Sequence, residues 1–163
     1  MRVETPFGGA GLVYRVSPFS ITGVFLPGCV DEKALAGIGS ESPPCDDAKR
    51  AVLALVGYFA GQSPDLSQFL PNLDLSGLTL AQIEVLRATE AIPRGETRSY
   101  GELAKAVGRP KAARFVGNVM ARNPFPVIIP CHRVVRAGGD IGKFGGGAEL
   151  KAKMLELERT KDS

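Results

Sequence analysis

The first 28 residues alternate short apolar runs with Gly and Pro turn residues. The runs at 12–14 and 21–26 are rich in β-branched and aromatic side chains, which favour strands. From Asp46 onward, apolar side chains recur every three or four positions until Gly61, a spacing that predicts a helix with Asp46 as its N-cap. These patterns predict a small antiparallel sheet covered by one helix.

The stretch from Gln62 to Gly77 is rich in Ser, Pro, Asp and Asn instead, a composition typical of a linker. We therefore expect two domains. The first is a sheet-plus-helix domain over residues 1–75, with the linker included, and the second is a mainly helical domain over residues 76–163. The fold class predicted for the whole chain is α/β, of the α+β kind.

Two helices are predicted near the ends of the second domain. A capping-box sequence at 79–82 starts the first, which ends before Pro93, and its apolar face is predicted to consist of Leu80, Ile83, Leu86 and Ala91. The other starts at about Ala148, and the side chains predicted to point inward are Leu150, Met154 and Leu157. Between them, the Val-Ile-Ile run at 127–129 is predicted to be buried and extended.

A second capping box at 99–102 predicts a short helix that Gly108 terminates. The next helix is predicted to start at Pro110 and to run to Arg122, where Asn123 and the proline after it end the helix. Two short basic helices separated by a few residues fit a helix-turn-helix. An ordinary helical hairpin fits the spacing equally well.

Charge is distributed unevenly along the chain. Residues 1–75 contain five Lys/Arg against eight Asp/Glu, a net −3, whereas residues 90–136 contain nine against three, a net +6. A positive surface of this kind is typical of phosphate binding. We therefore expect the second domain, and not the first, to bind nucleic acid.

The chain has three cysteines and one histidine. Three cysteines are too few for a disulfide scaffold, although pairing of Cys29 with Cys45 stays open, and one histidine gives no support for a metal cluster. No apolar run approaches the roughly 18 residues of a membrane span, and the first residues do not resemble a secretion signal. We therefore expect a cytoplasmic protein without a metal, a cofactor or contact with a membrane.

Cys131 lies between Pro130 and His132, before a glycine-rich loop. Because a thiol has a pKa of about 8.5, a base or positive charge such as His132 or Arg133 is needed to form thiolate at neutral pH. Adjacent side chains of an extended segment point to opposite sides, which indicates a bridging water between thiol and imidazole. The last helix offers three carboxylates to orient the imidazole, Glu149, Glu156 and Glu158. A buried core cysteine beside a surface histidine fits these local features about as well.

The run from Pro130 to Val134, Pro-Cys-His-Arg-Val, resembles the active-site signature of the O6-alkylguanine-DNA alkyltransferases, also called methylated-DNA–protein-cysteine methyltransferases. The resemblance includes residues 95–104, the Asn-Pro pair at 123–124 and the glycine loop through to Glu158. It covers residues 75–160 closely and the first domain only loosely. It implies a winged-helix-like second domain that contains the helix-turn-helix, and an RNase H-like first domain.

In this family, the cysteine that matches Cys131 takes the alkyl group from O6 of guanine in a single displacement and is not regenerated. The resemblance therefore implies DNA repair by a single-turnover (suicide) methylated-DNA–[protein]-cysteine S-methyltransferase. It also implies that Glu158 orients His132, which takes the proton of Cys131 through a water. Tyr100 matches the tyrosine that hydrogen-bonds guanine N3 and promotes base flipping, and Arg114 matches the arginine that fills the gap in the base stack.

The partner implied by the resemblance is double-stranded DNA containing O6-alkylguanine, bound by a monomer through the minor groove. Activity on O4-alkylthymine stays open. The residues implied to contact DNA besides Tyr100 and Arg114 are Lys111, Ala112, Ala113, Gly117 and Arg133. The residues implied to form the guanine pocket are Met120, Val134, Phe144, Gly145 and Lys151. Asn123 is implied to brace the turn between the DNA-binding helix and the site.

Two pocket positions depart from the family pattern. Phe144 lacks the hydroxyl of the tyrosine often found there, and Gly145 replaces a common serine. We expect a wider pocket that accepts larger alkyl groups.

Two other functions are open to such a chain. A binding-only damage sensor flips and flags alkylguanine, but sensors of that type have another residue at the position of Cys131. A thiol hydrolase using Cys131 and His132 leaves the basic helix-turn-helix unexplained, and an adjacent Cys-His pair is poor geometry for a catalytic dyad. The single displacement onto Cys131 is therefore the preferred hypothesis.

Overall fold

A computed structural model describes residues 1–29 and 44–159 of the chain. The chain divides into two compact units, Met1–Asp74 and Leu75–Ser163. No helix in the described ranges is both long enough and apolar enough to cross a membrane.

The first unit contains the predicted antiparallel sheet. Strands β1 (Arg2–Thr5), β2 (Gly8–Val16) and β3 (Phe19–Phe25) pair in that order, and helix α1 (Asp46–Phe59) packs against β1 and β2. The predicted N-cap is off by one residue. Cys45 occupies the cap position without a side-chain hydrogen bond, while the Asp46 carboxylate pairs with Lys49 at 3.0 Å. Cys29 and Cys45, both described, form no disulfide with each other.

The polar stretch predicted as a linker is structured and belongs partly to the first unit. Residues Ser67–Asn72 form a 3-10 helix whose Phe69 is buried. The N–H of Asp74 donates to the carbonyl of Ile21 at 2.9 Å, so the chain returns to β3 before it leaves the unit. The buried side chain of Phe69 therefore holds in place a segment whose composition is typical of a linker.

Helix α2 (Leu80–Glu90) opens the second unit with the predicted capping box between Thr79 and Gln82. Two of the four residues predicted for its apolar face are wrong, because Leu80 is 79% exposed and Ala91 is also exposed. Leu86 is buried as predicted, and Ile83 is half-buried. The buried face consists of Val85, Leu86 and Thr89. At about 100° per residue, Leu80 lies on the other side of the helix from Val85.

Strand β4 (Arg98–Ser99) leads into α3 (Tyr100–Ala106) through the second predicted capping box, and α3 packs against α4 (Ala113–Ala121). These two helices form the helix-turn-helix. Helix α4 begins three residues later than Pro110, because the chain first closes a turn in which the Ala112 N–H donates to the Arg109 carbonyl at 2.9 Å.

The Val-Ile-Ile run at 127–129 is buried as predicted, but it forms a turn and not an extended segment. Val127 has a φ of 75°, a strained conformation for a β-branched residue. The Ile129 N–H donates to the Phe125 carbonyl at 2.8 Å. A 3-10 turn over Cys131–Arg133 follows, then β5 (Val134–Val135), which pairs in parallel with β4, and finally α5 (Gly147–Arg159).

Candidate active site

Cys131 is held at the start of the 3-10 turn by the segment that Asn123 braces. The Asn123 side chain accepts the Phe125 N–H at 3.0 Å and donates to the Ile129 carbonyl at 3.0 Å. Cys131 is only 4% exposed, and burial raises its thiol pKa despite opposing hydrogen bonds from Asn123 and the backbone and the charge of Lys151. The resting group is therefore a thiol that needs a base.

A buried imidazole–carboxylate pair adjoins this cysteine. His132 Nε2 lies 2.7 Å from Oε1 of Glu158, and neither side chain is exposed. Of the three carboxylates that the sequence left open, Glu158 is thus the one that contacts the histidine, whereas Glu149 and Glu156 are exposed and pair with Lys153 and Arg159.

Arg133 completes the environment of Glu158. Its Nε and Nη2 lie 2.8 Å and 2.9 Å from the two carboxylate oxygens, and the Gly95 N–H donates to Oε2 at 3.3 Å. Burial alone would raise the pKa of Glu158, but hydrogen bonds from His132 and Arg133 and the positive charge of Arg133 outweigh it and hold that pKa well below its ordinary value. Glu158 is therefore ionised at neutral pH.

The predicted contact of Arg133 with DNA does not fit this placement. Its side chain is 12% exposed, and Nη1 donates to the Ile92 carbonyl at 2.6 Å while Nε and Nη2 bind Glu158. Because an unpaired buried carboxylate is costly, the guanidinium turns inward to Glu158 instead of outward to solvent.

The charge of Glu158 determines which nitrogen of His132 bears the proton. An ionised carboxylate only accepts hydrogen bonds, so the Nε2 atom that faces it is the protonated one. Burial lowers the pKa of His132 despite the opposing effect of Glu158, so the ring is neutral at neutral pH. Nδ1, which is buried as well, then has the lone pair of a base.

Lys151 is a fully buried cation on α5. Its Nζ donates to the Val134 carbonyl at 2.5 Å and lies 6.0 Å and 5.8 Å from the ring centroids of Tyr100 and Phe144. Burial lowers its pKa to about 8, and a thiolate at Cys131 would act in the opposite direction. At neutral pH most Lys151 amines are therefore charged and favour a thiolate at Cys131.

Tyr100 begins α3 and lies against α4 and the glycine loop. A Cβ atom built on Gly117 would approach its ring at 3.9 Å, and one on Gly142 would approach its hydroxyl at 3.4 Å. Burial raises the pKa of Tyr100, and a thiolate at Cys131 would raise it further. Its hydroxyl therefore keeps its proton at neutral pH and can donate a hydrogen bond.

The structure distributes the other predicted residues between surface and core. Arg114 on α4 and Lys111 in the preceding turn are exposed, and Ala112, Ala113 and Gly117 are half-buried. Val134 is buried, Phe144 is half-buried and Gly145 is exposed. The Met120 sulfur accepts from the Thr89 hydroxyl at 3.6 Å, which makes this predicted pocket residue part of the contact between α2 and α4.

A cavity of about 290 Å³ opens between α2 and α3, and it contains none of the predicted site residues. Its lining consists of Ala88, Ala91, Ile92, Pro93, Arg98, Glu102, Leu103 and Ala106. Among the described residues, no group of three or more His, Cys, Asp or Glu side chains is arranged to hold a metal ion.

Similarity to known proteins agrees with this geometry. The family model for the 6-O-methylguanine DNA methyltransferase DNA-binding domain matches residues 81–160. The methylated-DNA–protein-cysteine methyltransferase of Mycobacterium leprae is 50% identical over 109 residues, which are 67% of this chain and 64% of that relative. The constitutive methyltransferase of Bacillus subtilis is 42% identical over 120 residues, which are 73% of this chain and 68% of the relative.

The fold is similar as well. The crystal structure of Mycobacterium tuberculosis OGT in complex with DNA superposes with a TM-score of 0.78 at 36% identity, covering 98% of this chain and 91% of that one. The chain belongs to the O6-methylguanine-DNA methyltransferase family. The predicted α/β fold class and the predicted resemblance to this family are thereby confirmed.

Sequence reasoning missed two features of this site. The inward clamp of Arg133 on Glu158 and the contact of Gly95 with the same carboxylate join residues 25 and 63 positions apart. A Gly before the second capping box was a local signal for a special backbone conformation, and Gly95 indeed has a φ of +78°. Nothing local indicated its partner.

Proposed function

We propose that this protein repairs DNA by moving the alkyl group of O6-alkylguanine onto Cys131 in one irreversible step. The observation that supports this most strongly is the buried His132–Glu158 pair, 2.7 Å apart, next to a buried thiol in the unit that contains the helix-turn-helix. The aligned parts span just under two thirds of the M. leprae relative, so the activity rests on this site as well as on the family.

In the proposed reaction, the thiol proton passes through a water to Nδ1 of His132. The sulfur then attacks the alkyl carbon, and a sulfur–carbon bond forms as the carbon–O6 bond breaks. The electron pair of the broken bond goes to guanine, where the Tyr100 hydroxyl donates a hydrogen bond to N3. The buried charge of Lys151 favours the thiolate during this step.

The proposed substrate is duplex DNA bound through the minor groove by a cytoplasmic monomer. A buried thiol cannot reach O6 inside a base stack, so the alkylated guanine has to leave the duplex, at a cost of a few kcal/mol. The side chain of Arg114 on α4 is exposed, and in this proposal it enters the stack and offsets part of that cost. A binding-only sensor would have no use for a base beside the thiol.

The proposal is tested by intact mass spectrometry after incubation with duplex DNA containing O6-methylguanine, followed by peptide mapping. We expect one methyl group per chain, on Cys131. Cys131→Ala should abolish the adduct and leave DNA binding nearly unchanged, whereas Cys29→Ala should still accept the methyl group. Tight binding of the lesion by the wild-type protein without any adduct would instead indicate the sensor function.

A further inference from the structure

Arg136 is a basic residue beside the candidate site that the proposed reaction does not use. It follows β5 directly, just as Tyr100 follows β4. The two strands pair in parallel with Arg98 opposite Val134 and Ser99 opposite Val135. Tyr100 and Arg136 therefore leave the two strands side by side.

A shared glycine confirms that these side chains are neighbours. A Cβ atom built on Gly142 would lie 3.3 Å from Cγ of Arg136 and 3.4 Å from the hydroxyl of Tyr100. The charge of Arg136 acts to lower the pKa of Tyr100, against the larger effect of burial. The guanidinium is thus close enough to act on any group that the tyrosine hydroxyl approaches.

A tight turn presents Arg136 at the surface. Its N–H donates to the Asp140 carbonyl at 2.8 Å, and its carbonyl accepts the Gly139 N–H at 3.1 Å. Nη1 lies 3.1 Å from the Asp140 carboxylate, and the two side chains are 56% and 65% exposed. Because an ion pair this exposed stabilises a protein very little, another anion can replace Asp140 at small cost.

We propose that Arg136 binds the DNA backbone phosphate beside the flipped nucleotide, and that this phosphate replaces Asp140 as its partner. The inference rests on the proposed function, in which the Tyr100 hydroxyl reaches the flipped guanine, so the Arg136 guanidinium beside that hydroxyl faces the backbone of the same nucleotide. A guanidinium can bind a phosphate through two parallel hydrogen bonds, which would hold the nucleotide in its flipped position. Until DNA binds, the ion pair with Asp140 holds the Arg136 side chain over the turn.

The test compares single-turnover methyl transfer from an O6-methylguanine duplex with benzyl transfer from free O6-benzylguanine, and measures how binding of the duplex depends on salt. For Arg136→Ala we expect transfer from subsaturating duplex to slow about tenfold and the salt slope to become shallower by about one unit. Transfer from the free base should not change. Arg136→Lys should keep the salt slope and recover only part of the rate, because it keeps the charge but loses the two-pronged contact.

Arg50→Ala is the matched control, because it removes an exposed arginine that pairs with Asp47 in the first unit. It should leave both rates and the salt slope at wild-type values. The inference is overturned if Arg136→Ala behaves like this control, or if it slows both substrates equally. The dependence of binding on salt is measured without the reaction, so it tests the role of Arg136 separately from the proposed function. Failure of the proposed function would appear differently, as a wild-type protein that binds the duplex without accepting the methyl group.

Discussion

At the scale of single residues, the buried polar contacts of the site converge on the carboxylate of Glu158. This carboxylate accepts hydrogen bonds from Nε2 of His132, from two guanidinium nitrogens of Arg133 and from the Gly95 N–H. Removing one partner of a buried ion pair costs more than the pair contributes, because the other charge stays buried without compensation. Glu158 is therefore as important for stability as for the orientation of the imidazole.

Replacing Glu158 with Gln tests both roles. We expect Glu158→Gln to lower the free energy of unfolding by about 3–5 kcal/mol, because it leaves the Arg133 guanidinium buried without a counter-charge. Urea unfolding measures this loss, and the transfer rate of the remaining folded protein should fall as well. Glu156→Gln, an exposed change on the same helix, should alter stability by no more than about 0.5 kcal/mol.

The pH dependence of stability gives a second measure of Glu158. Its pKa is lower in the folded protein than the ordinary 4.5, so its contribution is complete well above pH 4.5 and is lost as the pH falls below that value. The gap in stability between wild type and Glu158→Gln should therefore narrow in acid. A gap that stays constant from pH 7 to pH 3 would show that the charge of Glu158 is not the cause.

The acid limit of the reaction should be determined by His132. Burial lowers its pKa from the ordinary 6.5, so the imidazole remains neutral and able to accept a proton at pH values below 6.5. We expect the rate of alkyl transfer to decline on the acid side only below pH 6.5. A decline with its midpoint above that pH, in single-turnover rates measured across the range, would mean that another group is the base.

At the scale of elements, a glycine lets the loop between α2 and β4 pack closely against α5. Gly95 has a φ of +78°, and a Cβ atom there would lie 3.3 Å from the backbone carbonyl oxygen of Glu158. Gly108, in the turn of the helix-turn-helix, has a similar φ of +70° but open space around it. A side chain at either position would therefore strain the backbone, but only a side chain at position 95 would also contact α5.

Alanine at these two positions separates strain from contact. Gly108→Ala should cost about 1 kcal/mol of stability through backbone strain alone. Gly95→Ala should cost more and should also slow transfer to free O6-benzylguanine, because it pushes on the residue that orients His132. Thermal unfolding and free-base kinetics measure the two effects, and equal losses at both positions would mean that the contact with α5 is unimportant.

Helix α4 provides the exposed arginine proposed to fill the gap in the base stack. Arg114→Ala should slow transfer from duplex DNA much more than transfer from the free alkylguanine base, which needs no flipping. Arg122→Ala, which removes the same charge at the end of this helix, should leave the ratio of the two rates unchanged. Equal losses for both substrates in Arg114→Ala would disprove the role in flipping.

At the scale of the whole molecule, alkylation should destabilise the protein. Cys131 is 4% exposed and its thiol lies in a fitted, hydrogen-bonded site, so an added methyl group overpacks it. Overpacking of this kind costs about 1–3 kcal/mol, which corresponds to a Tm lower by about 2–12 °C. Calorimetry before and after complete methylation measures the shift, with Cys131→Ala incubated with the same DNA as the control. An unchanged Tm would indicate that the pocket has room for the product.

The sequence by itself determined the features that depend on neighbours along the chain. The capping boxes at Thr79 and Ser99 were predicted because their hydrogen bonds join residues three positions apart. The signature around Cys131 likewise indicated the family, since the residues it compares are adjacent. Where the local signal was ambiguous, as for the polar stretch before Leu75, the sequence failed to show that Phe69 anchors it.

Only the tertiary structure decided which residues meet across the chain. The family resemblance implied that Arg133 contacts DNA, but a carboxylate 25 positions away holds its side chain inside. In the same way, Arg136 and Tyr100 become neighbours only through the pairing of β5 with β4. The physical reason is that burying a charge requires a partner of opposite charge, and the fold alone brings that partner within hydrogen-bonding distance.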